Sequence, residues 1–168
     1  MSIMDVLTDM AQTGGVGVLK PGASLDGVSD VLGPAAEADY FPQARPSWPR
    51  TFRYGDIRLE VCRCRLIHRV ALSTWTESVE IPTTSAGVTE SVSPTTTFAQ
   101  LRDAFDLAGV GWELDPELDS ATQFTVVVDR EPVLVRFTFH CEAGSFAVGR
   151  SGATLHSAIS RDDAHMCP

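Results

Sequence analysis

Two stretches of this chain pass through the same change of hydrophobic period. Leu25, Val28 and Leu32 recur at the spacing of Phe98, Leu101 and Phe105, one apolar helix face in each case. Downstream, Ile57-Arg58-Leu59-Glu60-Val61 and Val135-Arg136-Phe137-Thr138-Phe139 alternate with period two. Both runs are apolar at the first, third and fifth positions and carry Arg at the second. Cys62 follows the first run directly, and Cys141 follows the second after one intervening residue, His140. The pattern predicts an α+β fold of two tandem helix-plus-antiparallel-sheet units, a pseudo-duplicated single compact protein.

The remaining elements follow from punctuation. Ile3, Val6, Leu7 and Met10 predict a helix over 3–12, capped by Ser2 and ended by Gly14-Gly15. Ser24 or Asp26 caps a second helix that Gly33-Pro34 stops, and Thr97 caps a third running to about Ala108. Four prolines make 34–50 an irregular loop. Strands are expected over 51–61, returning through a tight connection at Cys62-Arg63-Cys64 to about 65–73, with a weaker one over 75–81. In the second half they are expected at about 122–129, 133–140 and 145–149. Domain organisation then reads as an N-terminal helix and connection (1–21), a first unit (22–82), a Thr/Ser/Pro linker (83–94), a second unit (95–150) and a flexible tail (151–168). Neither half has enough strands to cover its helix, so one continuous or two abutting antiparallel sheets are expected.

The run Leu19-Lys20-Pro21-Gly22-Ala23-Ser24 through Leu32-Gly33-Pro34, with Tyr54-Gly55-Asp56 before the first strand, resembles small actinobacterial proteins. In those, a Pro-Gly-x-Ser helix start and a Leu-Gly-Pro stop precede a Tyr-Gly-Asp strand. The helix portion is also similar to beta-lactamase-inhibitor-like and outer-membrane-assembly lipoprotein domains. The resemblance implies helices packed on an antiparallel sheet that acts by binding other proteins. Some of the actinobacterial relatives sit beside polymorphic toxins, which implies an immunity role.

Charge sharpens that expectation. The chain carries 22 acids against 13 bases, a formal net charge of −9, and 43% hydrophobic residues, enough for a packed core. Residues 22–82 hold eight acids and seven arginines, whereas 95–150 hold nine acids and four. Phosphate backbones are repelled and a basic protein is attracted, so no nucleic-acid partner is expected. No basic start with an apolar run opens the sequence, and no stretch has the apolar length of a membrane helix. A cytoplasmic protein with reduced thiols and no membrane partner is expected.

Catalytic motifs are missing. There is no G-x-S-x-G, H-E-x-x-H or G-x-x-x-x-G-K-[ST], so no catalytic residue is assigned. Cys62-x-Cys64 invites a soft metal, with His68, His140 or Cys141 as further ligands. Structural zinc sites normally use longer spacings and a second ligand pair, and His165 and Cys167 fall in the expected tail. No metal or other cofactor is expected on that ground. Arg58, Arg63, Arg65 and Arg69 read as a solvated face with cross-strand ion pairs.

The functional expectation falls on Trp112, Glu113, Asp115, Glu117 and Asp119 as a partner-binding edge. Trp112 would anchor the contact, and the carboxylates would steer a basic partner. The expected function is a non-enzymatic binding module, an immunity protein that neutralises a cognate, basic toxin. The alternatives are a small-molecule sensor and an enzyme whose site is unfamiliar, built from groups such as His68, Asp56 and Tyr54.

Overall fold

Helix ends are set by side chains that satisfy the first free backbone amides. In α1 (Ile3–Thr13) the Asp5 amide donates to the Ser2 hydroxyl at 3.2 Å and the Ser2 amide to the Asp5 carboxylate at 2.8 Å. Ser24 caps α2 (Leu25–Leu32), and Thr97 with Gln100 forms a second capping box on α3 (Phe98–Ala108). The computed structural model describes residues 1–38, 48–141, 150–165 and 167. The strand expected at 145–149 lies outside the described residues.

The strands are β1 (Ala36–Glu37), β2 (Arg50–Tyr54), β3 (Ile57–Val61), β4 (Ile67–Ser73), β5 (Val79–Pro82), β6 (Thr89–Val92), β7 (Glu113–Leu114), β8 (Gln123–Arg130), β9 (Val133–His140) and β10 (Thr154–Asp162). Eight of them form one antiparallel sheet in the order β1-β2-β3-β4-β10-β9-β8-β7; β5 and β6 form a separate hairpin. The order reads alike from both edges. Helix, two-residue edge strand and three-stranded meander follow one another in α2–β4 and again in α3–β10, and β4 meets β10 at the centre. The fold is α+β, with a continuous sheet.

Alternation decides which sheet face is covered. Ile57, Leu59 and Val61 are fully buried, as are Val135, Phe137 and Phe139, and they share a core with the apolar faces of all three helices. Aromatic rings fill the second half of that core. Phe105 meets Phe137 edge-on at 5.2 Å, and Phe98 stands edge-on to the stacked pair Phe124 and Phe139.

Two boundaries differ from the sequence expectation. The supposed linker 83–94 contains β6, because Thr and Val are β-branched and pair readily across a hairpin. The supposed tail contains β10, a central strand pairing β4 on one side and β9 on the other. Its polar look has a packing reason. Ala158 and Ser160 are the fully buried inward positions, and the Ser160 hydroxyl donates to the Gly14 carbonyl at the end of α1.

Gly55 turns β2 into β3 with φ at +57°, and an added Cβ there would collide with the Glu80 backbone. Asp56 locks the same approach: its amide donates to Glu80 O and its carboxylate accepts from Glu80 N, both at 2.8 Å. Gly55→Ala is therefore expected to destabilise the protein by roughly 1–3 kcal/mol. A urea melt with an unshifted midpoint would contradict this.

Candidate metal centre

The β4–β10 pairing brings two remote segments to one end of the sheet. Arg69 lies opposite Arg161, so the turn before β4 and the residues after β10 emerge side by side. The first segment is a tight turn. Cys62 N–H donates to Leu66 O at 3.0 Å, Arg65 N–H donates to Cys62 O at 2.9 Å, and Arg65 adopts φ +62°. Its guanidinium grips Asp26 on α2 in a fork, at 3.0 and 2.6 Å. The second segment bends at Asp162, whose carboxylate accepts from the amides of Ala164 and His165.

Four ligand-type side chains converge where these segments meet. His165 Nε2 lies 3.2 Å from Cys62 Sγ and 3.4 Å from Cys64 Sγ. Cys167 Sγ is 3.2 Å from Cys64 Sγ and 3.6 Å from His165 Nε2, and Cys62 Sγ is 2.7 Å from Cys64 Sγ. All four atoms lie within 4.8 Å of one another. None of the cysteines forms a disulfide, whose S–S bond would measure about 2.05 Å. A zinc tetrahedron with Zn–S bonds of about 2.3 Å has sulfur–sulfur edges of about 3.8 Å, so the sulfur pairs at 2.7 and 3.2 Å open by about 1.1 and 0.6 Å to take the ion.

The thiols already influence one another's ionisation. Cys64 is pushed up to about 11, first by its hydrogen bond with Cys62 and then by that with Cys167. Cys167 is drawn down to about 6, chiefly by the Cys64 backbone amide and then by the Cys64 thiol. A divalent cation among them is the larger local charge and favours the thiolate at every sulfur. Beside the cluster lies a groove of ≈ 420 Å³ whose walls include Trp48, Arg63, His68 and Arg161. Burial pushes the His68 imidazolium down, against the pull of Glu60, whose carboxylate lies 3.8 Å away.

The absence of a matching second pair was the ground for expecting no metal, and the fold removes it. His165-x-Cys167 supplies that pair with the same one-residue gap as Cys62-x-Cys64. Of the partners weighed from sequence, His68 lines the neighbouring groove, and the other two sit elsewhere. His140 stacks on His156 with ring centroids 4.1 Å apart and bonds Gln123, while Cys141 is half-buried at the end of β9. Equal spacing in two Cys/His pairs is the signal that the sequence carries for this site, and the polar look of 151–168 obscures it.

Other sequence candidates have structural partners. Tyr54 donates its hydroxyl to Gly33 O at 2.9 Å, and it and Asp56 flank the β2–β3 turn, whereas His68 lies toward the other end of the sheet. These three groups are not brought together as a catalytic site. Arg65 pairs with Asp26 and Arg69 with its cross-strand neighbour Glu60, while Arg58 and Arg63 are exposed.

The 112–119 segment forms edge strand β7 and a 3-10 turn over Pro116–Leu118. Trp112 is half-buried, edge-on to Phe98 at 5.7 Å, so part of its ring belongs to the core. Asp115 caps the 3-10 turn, Asp119 pairs with Arg150 at 2.6 Å, and Glu113 and Glu117 remain exposed. This packing gives Trp112 a part in stability as well as an exposed face. Trp112→Ala is expected to cost on the order of 1–3 kcal/mol in denaturant melts; no loss would place the ring outside the core.

Among the described residues, no helix is long and apolar enough to cross a membrane. In comparisons with known proteins, no family model, curated protein or solved structure matches the chain.

Proposed function

We propose that this protein binds zinc through Cys62, Cys64, His165 and Cys167, and that the metal clamps the chain leaving β10 onto the β3–β4 turn. The observation that carries the reading is the convergence of these four groups from segments about a hundred residues apart in sequence. Three thiolates and an imidazole suit a soft to borderline cation with tetrahedral preference, which favours zinc over magnesium or calcium. Four protein ligands close the coordination sphere, and a closed sphere supports a structural rather than a catalytic ion.

Elemental analysis of protein purified without chelator tests this. Stoichiometric zinc is expected, lost in Cys62→Ser and Cys167→Ser and retained in Cys141→Ser. Wild-type protein without zinc, or zinc retained in both ligand variants, would overturn it.

A second reading concerns what the clamped scaffold binds. Leu114 and Leu118 are 38% and 42% exposed beside Glu113 and Glu117 at the sheet edge. Apolar side chains between carboxylates support a surface for a basic protein, such as the toxin of an immunity pair. Against a partner isolated from the native host, Glu113→Gln with Glu117→Gln should slow association and flatten its salt dependence. Unchanged association would move the interface elsewhere.

A further inference from the structure

The four ligands are not equally protected. Cys62 is 6% exposed and sits against the core at the end of β3, whereas Cys64 and Cys167 are exposed to solvent with their sulfurs 3.2 Å apart. We propose that Cys64 and Cys167 form a redox-sensitive pair, through which a hydroperoxide releases the zinc by joining them in a disulfide. The proposal rests on the zinc reading above and names how that site is regulated.

The chemistry is a two-electron exchange. One exposed thiolate attacks the peroxide O–O bond, taking an oxygen as the sulfenic acid while hydroxide leaves. The second thiolate attacks that sulfur, forms the S–S bond and expels a second hydroxide. Two thiolates are oxidised, both peroxide oxygens are reduced, and no further reactant is needed. The ion then keeps one thiolate and one imidazole of its four ligands, and its affinity collapses.

Access selects the pair. Cys62 and Cys64 lie closer, at 2.7 Å, but Cys62 is buried, and a bridge across a single residue forces strained dihedrals. Cys64 and Cys167 come from separate segments, and Cys167 lies beyond the last turn of chain fixed by Asp162. The disulfide therefore replaces the metal as the clamp between the same two segments. A dithiol reductant with added zinc should restore the original state.

The experiment treats zinc-loaded, full-length protein with hydrogen peroxide and reads released zinc with a chromogenic indicator. The expected result is stoichiometric release, a Cys64–Cys167 cross-linked peptide on mass mapping, and recovery of bound zinc after dithiothreitol and zinc. Cys141→Ser should behave as wild type. Zinc that stays bound while the thiols stay reduced would overturn the redox proposal alone, as would release with a Cys62–Cys64 bridge or with sulfinic acids and no disulfide. Protein that carries no zinc before peroxide is added would overturn the zinc reading and this proposal together.

Discussion

Chelating zinc from the native protein is expected to lower its unfolding free energy by about 4 kcal/mol where free zinc had exceeded the dissociation constant by about a thousandfold. The metal binds only the folded arrangement well, because its ligand pairs are brought together by β4–β10 pairing rather than by local sequence. Cys62→Ser should show the same loss. Chelator added to that variant should do nothing further, since both changes remove one interaction. Urea melts of both proteins with and without chelator decide this. A chelator effect that persists undiminished in Cys62→Ser would mean that the stabilising ion sits elsewhere.

Phe137→Ala is expected to cost about 3–5 kcal/mol, because the ring is fully buried in the middle of β9. Phe105 meets it edge-on, and Val126 and Ala158 lie opposite it on the neighbouring strands. Relaxation of three surrounding elements cannot fill such a cavity. Leu59→Ala, fully buried on β3, should cost about 2–5 kcal/mol for the same reason. Neither truncation touches a ligand, so both variants should hold stoichiometric zinc while folded. A loss below about 1 kcal/mol for Phe137→Ala would put the wrong face of β9 in the core.

The parts of the fold legible in sequence were those written in local chemistry. Ser2, Ser24 and Thr97 announce helix starts because a hydroxyl there satisfies a free amide, and all three do so. Strands β3 and β9 alternate large apolar and polar residues, and their burial follows that alternation, whereas β8 is legible as an unbroken apolar run buried from Phe124 to Val128. Strand β10 was hidden because its inward positions are Leu155, Ala158 and Ser160 and a register shift interrupts the alternation. Small residues there leave room for the end of α1, which only the assembled fold reveals.

The metal centre was half legible. Cys62-x-Cys64 was visible as a pair, but its partners depend on two facts of topology: β10 is a central strand, and Arg161 aligns with Arg69. Once the register is set, Cys64 stands three residues before β4 and His165 three residues after β10, at the same end of the sheet. The acidic edge shows the converse. Its charges were plain in the sequence, while the packing of Trp112 on Phe98 and the pairing of Asp119 with Arg150 came only with the fold.

X-ray absorption at the zinc edge tests the central claim most directly. Bound through Cys62, Cys64, His165 and Cys167, the ion should show three sulfur neighbours at about 2.3 Å and one nitrogen at about 2.0–2.1 Å. His165→Ala should release the ion, as loss of Cys62 or Cys167 does. A first shell dominated by oxygen and nitrogen, or one unchanged in His165→Ala, would contradict the account.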